Sequence, residues 1–329
     1  MRIRLALGLG LASVVACDGH GYLASLPTDQ INCITQFCTI PPGDLVFDSD
    51  RSGNHEIWTM HADGSAPRQI TNDRAFENWR PRVAADRRRI LFYRASIGAA
   101  GDSTRASLWM VNSDGTGLVE VRPMGRDGWT MQGHAEWSPT GQQLAMYGGV
   151  GGGSQIFVTD RSGKVVTQVT TRAGYNIDVS WSPDGSQLAF SGCATTPCTA
   201  NDYEIYTVNA GGGTPTRLTT NTRPDYDPSY SPSGLNVAWL EKTADAGNGT
   251  LGTWGIRSVV LQGGTQRTVI DDSQVNDSFV WSLDGAWLVF RRKEPSVSTR
   301  WRIFRIRVDG SSLQELTIGA SGNNEYPGP

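Results

Sequence analysis

The stretch Trp181-Ser182-Pro183-Asp184-Gly185, followed at once by the apolar run Leu188-Ala189-Phe190, decides the fold. It reads as an aromatic strand end, a tight turn and a buried strand. Proline presets φ for a turn, and the glycine supplies a positive φ. The same pattern stands at Trp137-Ser138-Pro139-Thr140-Gly141, at Tyr230-Ser231-Pro232-Ser233-Gly234 and at Trp281-Ser282-Leu283-Asp284-Gly285. The aromatic residues at 137, 181, 230 and 281 recur at intervals of 44, 49 and 51 residues. Such a period fits four strands per propeller blade.

Working outward from each turn, a second strand alternates apolar and polar residues, as at 155–160 and 204–209. Period two means that one face is buried more than the other. Hairpin turns follow at Asp63-Gly64, Asp114-Gly115, Ser162-Gly163, Gly211-Gly212, Gly263-Gly264 and Asp309-Gly310. Asp-Gly and Gly-Gly suit two-residue hairpin loops. A short third strand and a loop then lead to the next aromatic strand. Each element occurs six times. A lone four-stranded sheet cannot bury both its faces, whereas six stacked around an axis do. The expectation is an all-β, six-bladed β-propeller of four-stranded antiparallel blades.

Composition narrows the function. The chain has 329 residues, 29 Lys+Arg against 32 Asp+Glu, and 4 His. A net charge of −3 argues against a nucleic-acid partner, which demands a basic face. No Gly-x-Ser-x-Gly elbow, phosphate-binding loop or zinc-like ligand spacing is present. No pattern calls for a metal or a cofactor.

The N-terminus reads as an export signal. Arg2 and Arg4 precede an apolar run at 5–15, too short to span a bilayer. The run ends in Val14-Val15-Ala16-Cys17, which resembles the lipobox of bacterial lipoproteins. That resemblance implies lipidated Cys17 as the mature N-terminus, membrane attachment, and a periplasmic or cell-envelope location. The domain reading is 1–16 signal peptide, 17–40 tether and 41–329 propeller. Without Cys17, the remaining cysteines form two Cys-x4-Cys pairs, Cys33/Cys38 and Cys193/Cys198. In an oxidising compartment these read as local disulfides.

The segment Phe47-Asp48-Ser49-Asp50-Arg51-Ser52-Gly53-Asn54-His55-Glu56-Ile57-Trp58-Thr59-Met60-His61-Ala62-Asp63-Gly64 resembles the TolB-type propeller repeat, and so does Asp225-Tyr226-Asp227-Pro228-Ser229-Tyr230-Ser231-Pro232. The resemblance covers roughly 40–329. It implies six blades and departs from TolB in having no α/β domain between the signal and the propeller. Ring closure is expected from 323–329, with 36–40 as the alternative.

Aligning the blades on Pro228 gives two sets of candidate binding residues near the channel mouth. Three positions before the proline stand Asn78, Gln132, Asn176, Asp225, Asn276 and Asn324. Asn and Asp at such places also serve as turn caps. One position before it stand Arg80, His134, Asp178, Asp227, Ser278 and Tyr326, a mixture that regular scaffolding does not require. The long loops at 94–106, 148–154, 191–203, 241–253 and 291–300 gather on one face, as binding loops do. The reading is a monomeric, non-enzymatic envelope lipoprotein binding a protein, peptide or glycan. The alternative is a periplasmic polysaccharide lyase or hydrolase using His134 with Asp178 or Asp227. A polar loop histidine is otherwise simply solvated.

Overall fold

A computed structural model of the chain describes residues 39–193, 199, 202–245, 252–293 and 300–328, together with the backbone of Ser13–Val15 and Leu23–Ser25. Cys17, Cys33, Cys38 and Cys198 lie outside the described residues. Ser13–Val15 and Leu23–Ser25 pair antiparallel.

Six four-stranded antiparallel sheets follow one another in chain order. Blade 2 is built from Phe76–Val83, Arg89–Ser96, Ser107–Asn112 and Val119–Arg122. Blade 3 uses Gln132–Trp137, Gln143–Val150, Gly153–Asp160 and Val165–Gln168. Blade 4 uses Asn176–Trp181, Gln187–Cys193, Tyr203–Asn209 and Thr216–Arg217. Blade 5 uses Asp225–Tyr230, Asn236–Ala244, Thr253–Val260 and Gln266–Ile270. Blade 6 uses Asn276–Trp281, Trp287–Lys293, Trp301–Arg307 and Gln314–Glu315. Blade 1 is composite. The C-terminal strand Asn324–Gly328 pairs with Leu45–Ser49, placing Asn324 opposite Ser49, and Glu56–Met60 and Arg68–Gln69 complete it. The C-terminus therefore closes the ring, which removes the open edge that a free first strand would present. Ile40 does not join the sheet. It is buried beneath blades 1 and 2, with its N–H on the Arg87 carbonyl at 2.9 Å.

The turn motif works as its residues dictate. In blade 4 the Ser182 hydroxyl bonds Asp184 at 2.6 Å and accepts the Gln187 N–H at 2.9 Å, while Gly185 sits at φ 72°. The aromatic residue in front of the turn staples its blade to the one before it. The Trp137, Trp181 and Trp281 indoles each donate at 3.2 Å to a carbonyl of the preceding blade, those of Arg82, Glu136 and Ser229. The apolar core is accordingly distributed between blades. Trp79, Leu91, Tyr93 and Leu108 of blade 2, for example, pack with Trp137, Leu144 and Met146 of blade 3. Among the described residues no helix is long and apolar enough to cross a membrane.

The run Arg87-Arg88-Arg89 reads from sequence as a solvated turn, but Arg87 turns inward. It sits at φ 57° and donates to the carbonyls of Ile40 and Asp44 at 2.8 and 2.7 Å.

Candidate functional site

The innermost strand of every blade carries the same irregularity. At Trp79/Arg82, Gly133/Glu136, Ile177/Val179, Tyr226/Ser229, Asp277/Phe279 and Glu325/Gly328 the pairing register slips by one residue. This is a β-bulge, one extra residue on the inner strand. At each bulge stands one residue of the second aligned set: Arg80, His134, Asp178, Asp227, Ser278 or Tyr326. All six adopt left-handed backbone, with φ from 41° to 55°. Non-glycine residues rarely accept this region, and bulges that do are used to re-aim side chains.

The bulges bring the second set together around the axis. The Arg80 guanidinium lies 2.8 Å from His134 Nδ1 and 3.4 Å from Asp227 Oδ1. His134 Nδ1 is also 2.8 Å from Asp178 Oδ1, and Nε2 is 3.2 Å from Asp227 Oδ1. His134 is buried at 4% exposure and is not the solvated loop residue that its sequence setting suggests. Burial and then Arg80 drive its pKa well below the ordinary imidazole value, so the ring is neutral. Burial pushes Asp178 and Asp227 upward, against the pull of nearby Arg80.

A cavity of about 480 Å³ opens above this cluster, lined by Arg80, Asp178, Asp227, Ser278 and Tyr326 of the second set. Residues that the alignment does not single out complete it: Tyr226, Trp254, Trp301, Lys242, Asp277 and Arg291. Tyr226 and Asp277 occupy the position between the two aligned sets, so the proline register held a signal for them. Trp254, Arg291 and Trp301 come from outer strands, which that register does not reach. Arg291 grips Asp277 through Nε at 3.0 Å, bonds Glu325, and stacks on Tyr326 with 3.8 Å from guanidinium to ring centre. A smaller cavity of about 190 Å³ lies below, bounded by the Ser-Pro turns, and includes His134, Arg82, Glu136 and Asp227. Asp227 borders both cavities. His134 lines only the lower one.

The first aligned set does not reach either cavity. Asn78, Gln132, Asn176, Asp225, Asn276 and Asn324 are all 0–1% exposed and are tied into the blade seams. Asn78 donates to Glu56 of blade 1 at 2.8 Å, Gln132 to the Ala106 carbonyl of blade 2 at 2.8 Å, and Asn176 to the Ser154 carbonyl of blade 3 at 3.0 Å. Asn276 donates to the Trp254 carbonyl of blade 5 at 2.9 Å. Asn324 accepts the Ser49 hydroxyl at the closing pair, at 3.1 Å. Asp225 takes the Asn221 amide at 2.7 Å. The expectation of a channel-mouth ring is corrected for these six. Buried amides must pair, and here they do so with neighbouring strands.

One set of ligand atoms suits a metal ion: His134, Asp178 and Asp227 bring them within 4.8 Å of one another. The Arg80 guanidinium already stands as the cation beside two of the three.

No family model matches the chain. A TolB homolog from Chlorobium luteolum is 26% identical over 165 residues, which make up 49% of this chain and 34% of that protein. The chain thus matches only about a third of that curated relative's length. Among solved structures, TolB from Acinetobacter baumannii superposes with a TM-score of 0.67 at 15% identity, over 94% of this chain and 74% of that one. An oligogalacturonate lyase from Vibrio parahaemolyticus superposes with a TM-score of 0.54 at 12% identity, over 85% and 76%. Likeness at these identities speaks for fold, not for activity. The chain is a TolB-like six-bladed propeller.

Proposed function

We propose that this TolB-like propeller is a non-enzymatic cell-envelope protein, tethered by a lipid on Cys17, that takes a segment of a protein, peptide or glycan into its upper cavity. The observation that carries the reading is the sixfold bulge: of its six left-handed residues, five (Arg80, Asp178, Asp227, Ser278 and Tyr326) line one opening, and the sixth, His134, lies directly beneath it. Strain kept at every blade, with five kinds of side chain among six positions, is the mark of a ligand site rather than of scaffolding. The charged lining is held still by internal pairs, Arg80 with Asp227 and Arg291 with Asp277, which lowers the ordering cost of binding. Cys33/Cys38 and Cys193/Cys198 are proposed as disulfides, the second stapling a loop on the binding face, and the protein as a monomer.

The test is crosslinked pull-down from envelope fractions. The paired variant Arg80→Ala/Asp227→Ala should lose partner capture while keeping its melting temperature, because both charges leave together. Capture that survives in this variant removes the cavity from the reading. Cys17→Ser should move the protein from the membrane to the soluble fraction.

A second reading, a polysaccharide lyase or hydrolase, draws on the neutral His134 beside two carboxyl groups. A neutral imidazole is a competent base. Against it, His134 does not line the upper cavity, and both of its nitrogens face protein partners. Turnover on a panel of acidic glycans, lost in His134→Ala, would establish this second reading.

A further inference from the structure

The cavity lining sets Arg80, Arg291 and Lys242 against Asp178, Asp227 and Asp277, and Glu325 behind Arg291 adds a fourth carboxyl group. Two guanidiniums, Arg80 and Arg291, stand among four carboxyl groups, Asp178, Asp227, Asp277 and Glu325. Arg291 is shared by Asp277 and Glu325, and Arg80 is given to Asp227. Lys242 at the rim is matched by Asp245, and Arg82 below by Glu136. Asp178 is left to share Arg80 with Asp227, without a direct contact of its own to it. Among the described residues it makes no ion pair with an arginine or lysine, and its only charged-type contact is His134 Nδ1. Arginine always donates, so the single lone pair of Nδ1 is engaged by Arg80. That nitrogen therefore has no proton to give Asp178.

Two further observations point outward from this acid. Asp227, only 6% exposed, leaves its Oδ2 buried with no partner on the same floor. The wall above is aromatic. Tyr226 and Trp254 of the lining lie 5.7 Å apart between ring centres in an edge-to-face arrangement, and Tyr203 backs Tyr226 at 4.7 Å. Aromatic faces attract cations, and more strongly where water is excluded.

Resting on the binding reading above, we infer that the upper cavity takes a cationic side chain of its partner, an ammonium or guanidinium group that adds a second cation to the two carboxyl groups sharing Arg80, Asp178 and Asp227, and stacks against Tyr226 and Trp254. The partner is then a peptide segment bearing lysine or arginine, and the specificity-determining residue is Asp178. An acidic glycan would meet the same floor with like charge.

The probes are Nα-acetyl-lysine amide, Nα-acetyl-arginine amide, the uncharged norleucine analogue and Nα-acetyl-glutamate amide, titrated by calorimetry and by fluorescence of the cavity tryptophans. The cationic probes should bind roughly tenfold more tightly than norleucine, and glutamate should be the weakest. Asp178→Asn should erase the preference for the cation over norleucine. Asparagine tolerates the left-handed φ of 52° at this position, so the fold should be kept. Asp227→Asn gives a second arm, with an intermediate loss. Equal binding of lysine and norleucine, preference for glutamate, or no binding by any probe overturns the inference. If envelope capture is lost in Arg80→Ala/Asp227→Ala yet intact in Asp178→Asn, the inference falls and the binding reading stands. If capture survives in both, the binding reading falls as well.

Discussion

A single residue separates the two aligned sets on each inner strand, yet the sets behave as different materials. At the first position, five of six side chains are carboxamides, all six are buried, and four of them reach partners across a blade seam. At the second position the side chains are chemically mixed, the backbone is left-handed, and the groups meet around the axis. Uniform chemistry marks what the scaffold needs six times. Mixed chemistry marks what the scaffold presents once. The comparison can be broken at either position.

The largest effect is expected at the first. Asn276 donates to the Trp254 carbonyl and to Asp272 at 3.0 Å, and accepts from Arg292 Nε at 2.8 Å, with no exposure to water. Asn276→Leu removes all three hydrogen bonds from a fully buried position. A loss of about 3 kcal/mol is expected, read as a fall in melting temperature of about 4–5 °C. Melting unchanged by this substitution would remove the seam role from the first set.

The exception within that set sharpens the comparison. Asp225 stands where the other blades have an amide. It faces Glu204 from Tyr203–Asn209 of blade 4 and Glu241 from Asn236–Ala244 of its own blade. Those two acids are held by Arg217 at 2.5 Å and by Arg257 at 2.9 Å. Burial first, then the like charges of Glu204 and Glu241, push Asp225 up to about 8. The protonated acid thus imitates the amide of the other blades. Its Oδ1 is buried without a partner. The folded state holds this proton up to pH about 8, whereas the unfolded chain releases it near its ordinary value of about 3.8. The unfolded state therefore binds fewer protons between these limits, and stability falls as pH rises through that window. Asp225→Asn removes the titration. The variant should exceed wild type in stability by a margin that grows from pH 4 to pH 8, by at most ~1.4 kcal/mol per unit, and stays constant above. Denaturant melts across this range give the answer. Parallel pH profiles for the two proteins would mean that Asp225 is ionised in the seam.

The blade count and strand order are legible in the chain because turns are local chemistry. Ser-Pro-x-Gly and Asp-Gly specify their own backbone, and a sixfold recurrence leaves one way to bury the sheets. The second set is legible because the proline register marks the bulge. The separation of the two sets is not. Residues two apart on a regular strand face the same side, so both sets read as one channel lining. The bulge between them breaks the pleat and sends them to different surroundings. Pairs across blades, such as Arg80 with Asp227, and the wall residues Trp254, Trp301 and Arg291, depend on ring curvature that no local pattern encodes.

The smallest expected effect tests whether the second position is strained at all. Ser278 sits at φ 41°, is 5% exposed and lies at the extra residue of the blade 6 bulge. Glycine accepts this φ without steric cost, but it also gives the unfolded chain more freedom to lose. If the left-handed backbone at the bulge stores strain, relief outweighs the entropy and Ser278→Gly raises stability by about 0.5 kcal/mol. The control is Ser258→Gly, a buried serine within Thr253–Val260. There the backbone is extended, no strain is relieved, and the same replacement should cost about 0.5–1 kcal/mol. Opposite signs in paired denaturant melts identify the bulge as the place where the ring carries its strain. A loss at both sites would make Ser278 an ordinary strand residue and leave the mixed chemistry of the second position as the sole ground for calling it a site.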